Sequence, residues 1–438
     1  MTEHPPEEVL IRFAGGDAPE ARVHVEACAE CSAEVGELRG IIEAVERGGM
    51  SQTPRLTTPA GELANLAERL QREREEAPSL VREILASPQP WLPGIPATPR
   101  FGTVGVVRAL LQAADEISMR EPQRALSLTE LATGIADVLA GYPAGALARI
   151  RSHAAREHAF ALYYAGRFHE ALETAEHAGN HLRGVPGSEY DRARADIMRA
   201  IVLRELDRTD EAIPLVRSAA DVFREHGDQQ RYLSAQTTLA ALSLRVGDAR
   251  RALAISLAVS RESHLEPLSS LAAMTMQNIG VSYAALEQPL LARQSLSEAS
   301  SQFAALGLTA EKLRADWALA RILMQTNMLQ EATTSFERLR TSFASLGMPS
   351  EAALASLDLV ECLLLLDEAD AAYDECRSVV AALTQSGLGT TARARTAIAY
   401  LREATAERSA TPSLIQSVRA HLDPVTPQLD VLSIPPSN

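Results

Sequence analysis

Apolar residues return at helical spacing along most of this chain. From Phe101 onward short polar turns interrupt them at a fixed interval, which predicts helix after helix. The turn and the small residue that follows it read GRFHEA at Gly166–Ala171, DRTDEA at Asp207–Ala212, GDARRA at Gly247–Ala252, EQPLLA at Glu287–Ala292, NMLQEA at Asn327–Ala332 and DEADAA at Asp367–Ala372. Their starts are 41, 40, 40, 40 and 40 residues apart. Chance does not hold such a register through six copies. An earlier unit opens its second helix at Pro122-Gln123-Arg124-Ala125. Each unit predicts two helices. The first ends on Gly, Asp or Asn, which tolerate a tight turn, and the second brings an Ala close to the first. One such pair cannot bury its apolar face, whereas stacked pairs can.

Before the array the pattern changes. Residues 1–47 form a first unit, and 48–61 (GGMSQTPRLTTPAG) read as a linker. Residues 62–86 predict a charged amphipathic helix. Leu63, Leu66 and Leu70 share a stripe, Pro78 interrupts, and Leu80, Val81, Ile84 and Leu85 follow. Residues 87–100 carry five prolines and are expected to be extended. The array is expected over 101–421 as about seven hairpins, with a disordered tail over 422–438.

The first full copy, Ala161-Leu162-Tyr163-Tyr164-Ala165-Gly166-Arg167-Phe168-His169-Glu170-Ala171-Leu172, resembles the tetratricopeptide repeat. It has small residues on the first helix, a turn Gly, an aromatic two positions later and the Ala of the second helix. The period is similar to that of the longer-helix variety found in bacterial regulators and kinesin light chains. The resemblance implies an all-α fold, with a tetratricopeptide-like right-handed α-solenoid after the first unit. It also implies a protein or peptide partner on the concave face of the repeats.

Composition narrows the function. The net charge is −15, and the first fifty residues carry eleven acids and four bases, nearly half of that excess. Phosphate-backbone binding needs basic patches, so direct nucleic-acid binding is not expected. No apolar run approaches the ~20 residues that span a bilayer, and no basic-then-apolar leader opens the chain. No membrane partner and a cytoplasmic location are expected. P-loop, Rossmann, H-E-x-x-H, nucleophile-elbow and kinase signatures are absent, so no enzyme is expected.

One constellation carries chemistry. His24, Cys28 and Cys31 form H-x3-C-x2-C. On a helix these positions share one face, and zinc suits such donors with a fourth ligand completing the tetrahedron. His4, ahead of a short apolar helix (Val9, Leu10, Phe13) and a turn at Ala14-Gly15-Gly16-Asp17, is the candidate fourth. A bare C-x2-C can also be two buried or two redox-active thiols. About fifty residues are too few for a core of their own, which favours a Zn2+ staple.

Residues 4–47 resemble the zinc-binding anti-sigma factor domain, also described as a putative zinc-finger. The resemblance rests on His4, Pro6-Glu7-Glu8-Val9-Leu10, Ala14-Gly15-Gly16, His24, Cys28, Cys31 and Leu38. It implies His4, His24, Cys28 and Cys31 as zinc ligands. It further implies an RNA polymerase sigma factor of the extracytoplasmic-function type as partner, with the repeats as the sensory or protein-binding part. Zinc is either structural or released on cysteine oxidation. A scaffold with a structural zinc module and no role in transcription is the alternative. Helix 62–86 either wraps the sigma factor or packs on the first repeat. His177 and His181 share a helix face, as metal ligands or as plain surface histidines. Cys362 and Cys376 are expected to be buried small apolar residues, and Trp91 and Trp317 to pack.

Overall fold

The computed structural model describes residues 5, 7–14, 18–28, 31–32, 35–36, 60–86, 98–118, 121–262, 269–385 and 392–422. Among these, every regular element is helical. The chain divides into two compact units, 47–239 and 1–46 with 240–438. It is a tetratricopeptide-like array of helical hairpins.

The turns explain the register. In the first helix of each hairpin the carbonyls of the last turn lack helical partners. A left-handed residue supplies them by turning the chain back. Gly166, Asp207, Gly247, Glu287, Asn327 and Asp367 have φ of 74°, 59°, 80°, 58°, 60° and 62°. After each, the next residue's N–H reaches back five positions. Arg167 N bonds Leu162 O at 2.9 Å, Gln288 N bonds Tyr283 O at 2.8 Å and Glu368 N bonds Leu363 O at 2.9 Å. The Ala that follows is sealed, with Ala171, Ala212, Ala252, Ala292, Ala332 and Ala372 all 0% exposed.

Unit 47–239 begins with α1 (Ala60–Ala86) and the pair α2 (Val104–Ile117) and α3 (Pro122–Val138). Then come α4 (Ala144–Tyr164), α5 (Phe168–His181), α6 (Glu189–Glu205), α7 (Thr209–Glu225) and most of α8 (Gln229–Arg245). The sequence predicts an interruption at Pro78, yet α1 runs through it as one helix. Pro78 forfeits one backbone hydrogen bond. Burial of Ala77, Val81 and Ile84 on one face outweighs that loss.

Helix α1 packs on the first hairpin. Leu66 and Leu70 stay half-exposed, and the seat is built on Glu73, which is buried. Tyr142 donates to Glu73 Oε1 at 2.6 Å, and Gly105 N donates to Oε2 at 3.3 Å. Arg69 donates to Glu73 at 2.8 Å and to Gly141 O at 2.7 Å, with its guanidinium over the Tyr142 ring. Gly105 is glycine because a Cβ there would stand 2.4 Å from the Glu73 carbonyl oxygen. The Leu63 side chain, Trp91, the 48–59 part of the first linker and 87–97 of the Pro-rich one lie outside what the structure describes.

The other unit carries α9 (Ala249–Ser260), α10 (Ser270–Ala285), α11 (Pro289–Ala305), α12 (Thr309–Gln325), α13 (Leu329–Ser345), α14 (Pro349–Leu365), α15 (Ala369–Gln385), α16 (Ala392–Glu407) and α17 (Pro412–Leu422). Phe303, Phe336 and Phe343 are fully buried between them. The described residues hold eight hairpins, one more than the six turn motifs and the earlier unit predict. The extra one turns on Arg408, at φ 53°, with Ser409 N bonded to Ala404 O at 2.9 Å. Arg408 escapes the motif because it is neither Gly, Asp, Glu nor Asn. Helix α17 packs on α14 as well as on α16. Residues 423–438, expected as a tail, lie outside the described residues.

The N-terminal module belongs to this second unit. A helix Glu7–Ala14, a 3-10 turn Pro19–Ala21 and a short helix Arg22–Ala27 gather Leu10, Phe13, Ala18, Ala21, Val25, Cys31 and Val35 into a small cluster.

Candidate functional site

His24 stands on the helix Arg22–Ala27, with Cys28 directly after it. The sequence predicts the three donors on one continuous helix face. The structure instead ends that helix at Ala27 and turns Cys28 to an extended φ of −114° and ψ of 113°. Cys28 N still donates to His24 O at 2.9 Å, and Cys28 O accepts from Ser32 N at 2.9 Å. Cys28 therefore closes one helix and opens the next turn, where Cys31 is buried. An unbroken helix would set the first and last donors almost two turns apart, ~10 Å along the axis. The break brings the imidazole and both sulfurs within 4.8 Å of one another.

A zinc ion at ~2.3 Å from sulfur and ~2.0 Å from nitrogen sets neighbouring donors roughly 3.5–3.8 Å apart. Cys31 Sγ and His24 Nε2 lie 3.4 Å apart. Two sulfurs and an imidazole nitrogen are also the donor chemistry that a structural zinc site uses. In donor type and proximity the three residues suit a zinc site. His4, the expected fourth ligand, lies outside the described residues. Among the described residues no other group of three or more His, Cys, Asp or Glu side chains converges in this way.

The remaining histidines and thiols do other work. His153 Nε2 lies 3.4 Å from Glu157 Oε1, and His158 Nδ1 lies 3.0 Å from Thr129 Oγ1. His177 and His181 belong to no donor cluster among the described residues. Burial pushes the Cys362 thiol up to about 12 and the Cys376 thiol up to about 11. Both are therefore thiols at neutral pH and behave as small apolar side chains.

The first helices of the hairpins also carry buried charged residues that sequence reading does not single out. In the hairpins before the last, Arg156, Arg321, Asp358 and Glu361 are the buried charged residues among those described, and all four stand on first helices. In unit 47–239, Arg156 donates to Glu157 Oε1 at 3.1 Å from Nε and 2.5 Å from Nη2. Burial works to raise the Glu157 carboxyl. The His153 hydrogen bond and the Arg156 charge override it and hold the group at about 2. Tyr190 donates to Asp228, and Arg231 Nε donates to the Tyr190 oxygen at 2.8 Å.

In the other unit, Trp317 Nε1 donates to Asp358 Oδ2 at 2.6 Å. Trp317 packs edge-on against Phe343 at 5.8 Å, so it is a polar contact as well as the expected packing residue. Gln416 donates to Glu361 Oε1 at 2.7 Å. Burial, then the Asp358 charge, raises the Glu361 carboxyl. No signal in the sequence separates these charges from the solvated ones around them.

No protein-family model matches the chain, and no curated protein does. Solved structures do. The chain is similar at 16% identity to a Rap protein complexed with Competence and Sporulation Factor, over 80% of this chain and 100% of that one, with a TM-score of 0.48. It is similar at 14% identity to the apo form of the quorum sensor NprR from B. thuringiensis, over 89% and 98%, with a TM-score of 0.47. It is similar at 19% identity to a Podosopora anserina putative kinesin light chain with nearly identical TPR-like repeats, over 47% and 98%, with a TM-score of 0.35. Among the described residues no helix is long and apolar enough to cross a membrane.

Proposed function

We propose that this chain is a tetratricopeptide-like adaptor whose first-helix face takes up a protein or peptide segment, with a zinc-stapled N-terminal module as an added docking unit and no catalytic role of its own. One observation carries the reading: buried charge in the hairpins before the last is confined to first helices. Burying a charge is costly, and an apolar residue would serve stability as well or better. Charge held in fixed geometry on one set of helices suits recognition instead. The test is a selection of displayed 12-residue peptides on the full chain, followed by amide hydrogen exchange on the complex. Protection concentrated in first helices supports the reading. Protection confined to second helices, or no saturable binder, removes it.

A second, narrower reading has its own support. The convergence of His24, Cys28 and Cys31 at the start of a strongly acidic segment favours a zinc-dependent anti-sigma module that engages a sigma factor in the cytoplasm. His4, His24, Cys28 and Cys31 would hold the Zn2+, which supplies a structural staple rather than chemistry. Two-hybrid pairing of the full chain with extracytoplasmic-function sigma factors tests it. Pairing lost in the C28S and C31S variants supports the reading, and no pairing with any sigma factor leaves the adaptor alone.

A further inference from the structure

Helix α9 departs from a pattern that α7, α11, α13 and α15 keep. Counted from the sealed alanine of each second helix, the second, fifth and sixth positions that follow fall on one helix face. In α7, α11, α13 and α15 all three positions are exposed. They are Thr334, Glu337 and Arg338 in α13, and Asp374, Arg377 and Ser378 in α15. In α9 they are Ala254, Leu257 and Ala258. Both alanines are 0% exposed, and Leu257 is half-buried. The outward face of this one helix is thus apolar and covered, where its counterparts are polar and bare.

What meets it is the N-terminal module. Helix Glu7–Ala14 packs on α9, within the same compact unit. Ala14 lies against the cluster that holds Leu253, Ala254 and Leu257. It also packs against the module's own cluster of Leu10, Phe13 and Cys31, so one residue stands in both cores. The distance between crossing helices is set by the side chains at the contact. Ala254 and Ala258, one turn apart on α9, face Ala14 at the end of the module's helix, and such small residues let two backbones approach closely. We propose that the outward face of α9 is a built-in receptor for the chain's own N-terminal module. The module is carried at a fixed place on the array. The side of helix Glu7–Ala14 that meets α9 is withheld from other proteins while the contact holds. A disturbance of the donor cluster reaches α9 by the same route, through Ala14. This docking goes beyond the adaptor reading and does not rest on it.

The experiment uses the full chain and the double variant L257E/A258R. That pair is the one α13 carries, exposed, at the same two positions, so a second helix accepts it. Amide hydrogen exchange is followed over residues 7–14, 249–260 and 309–385. The expected result is exchange about tenfold or more faster over 7–14 and faster over 249–260, with 309–385 unchanged. A14R attacks the contact from the module's side and is expected to speed exchange over 249–260. S297E/E298R places the same two residues on the bare outward face of α11 and is expected to leave 7–14 as in wild type. Circular dichroism establishes that each variant is folded. If L257E/A258R does not fold, A14R carries the comparison, because it leaves the array's own sequence intact. Sedimentation velocity is expected to show wild type and L257E/A258R at the same mass.

Three results overturn the docking. The first is exchange over 7–14 that L257E/A258R leaves unchanged, or exchange over 249–260 that A14R leaves unchanged. The second is an equal effect of S297E/E298R on 7–14, which would mean general loosening. The third is a wild-type dimer that L257E/A258R splits, which would mean that the module sits on a second copy of the chain.

Discussion

Arg419 Nε and Asp358 Oδ1 lie 2.8 Å apart, on side chains that are 7% and 0% exposed. The approach is too bent to count as a hydrogen bond, so it is a buried ion pair held by charge. Trp317 completes it, donating its indole N–H to the other oxygen of Asp358 while Arg419 sits 5.7 Å over its ring. This pair ties α17 to α14.

Removing one partner strands the other. Arg419→Ala is expected to cost about 3–5 kcal/mol in the local stability of the last hairpins, read by hydrogen exchange over residues 392–422. The paired replacement Arg419→Met with Asp358→Leu is expected to recover most of that loss, since no buried charge then lacks its partner.

The seat of α1 depends on a close backbone approach. Gly105→Ala would drive a Cβ to 2.4 Å from the Glu73 carbonyl oxygen, so α1 is expected to lift away. Limited proteolysis would then cut within residues 60–86. Tyr142→Phe keeps the packing and drops the hydroxyl that donates to Glu73 and accepts from Val104 N. It is expected to destabilise by about 1–3 kcal/mol.

The donor cluster at the N-terminus predicts stoichiometry. Protein purified without chelator is expected to carry one zinc per chain by mass spectrometry. C28S, C31S and H24A are each expected to lose it. Chelation is expected to raise exchange over residues 7–36 and leave 309–385 unchanged. Protein without zinc would remove the metal role.

Acid is expected to weaken unit 47–239 through two histidines. Burial lowers the His158 imidazole below its ordinary value, and repulsion from Arg167 adds to this. Burial lowers His153 also. The unfolded chain therefore binds protons that the fold refuses, and stability falls as pH drops through about 6.5 and below. Glu157 acts later. Its carboxyl is lowered in the fold, so its contribution holds above about 4.5 and fades as pH falls toward 2. Melting temperature against pH is expected to decline between pH 7 and 5, and H158Q should flatten that decline.

The left-handed turn at Glu287 offers a gain. A side chain at φ 58° is strained where glycine is not. Glu287→Gly is expected to stabilise the hairpin by about 0.5–1 kcal/mol, read as a higher urea midpoint.

How legible was all this in the sequence? The hairpin register was plain, because it depends on two local requirements, a turn residue and an Ala at fixed offset. The turn at Arg408 was hidden, since tertiary packing of α16 and α17 holds an unfavoured residue there. Helix α1 is visible as amphipathic, and of its predicted apolar positions Val81 and Ile84 are buried while Leu66 and Leu70 are only half-buried. The face that docks is set by Glu73, one acid among many in a charged stretch, and only its distant partners Tyr142 and Gly105 distinguish it. The H-x3-C-x2-C spacing marked the donor cluster correctly as residues. It did not reveal the helix break at Cys28, which is what brings the sulfurs together.

Six of the hairpins close their own carbonyls at their own left-handed turn and seal their own alanine. The chain can therefore be lengthened or shortened by whole modules of about 40 residues without disturbing the joints on either side. Gain or loss of a module is then a local event that leaves every other joint intact.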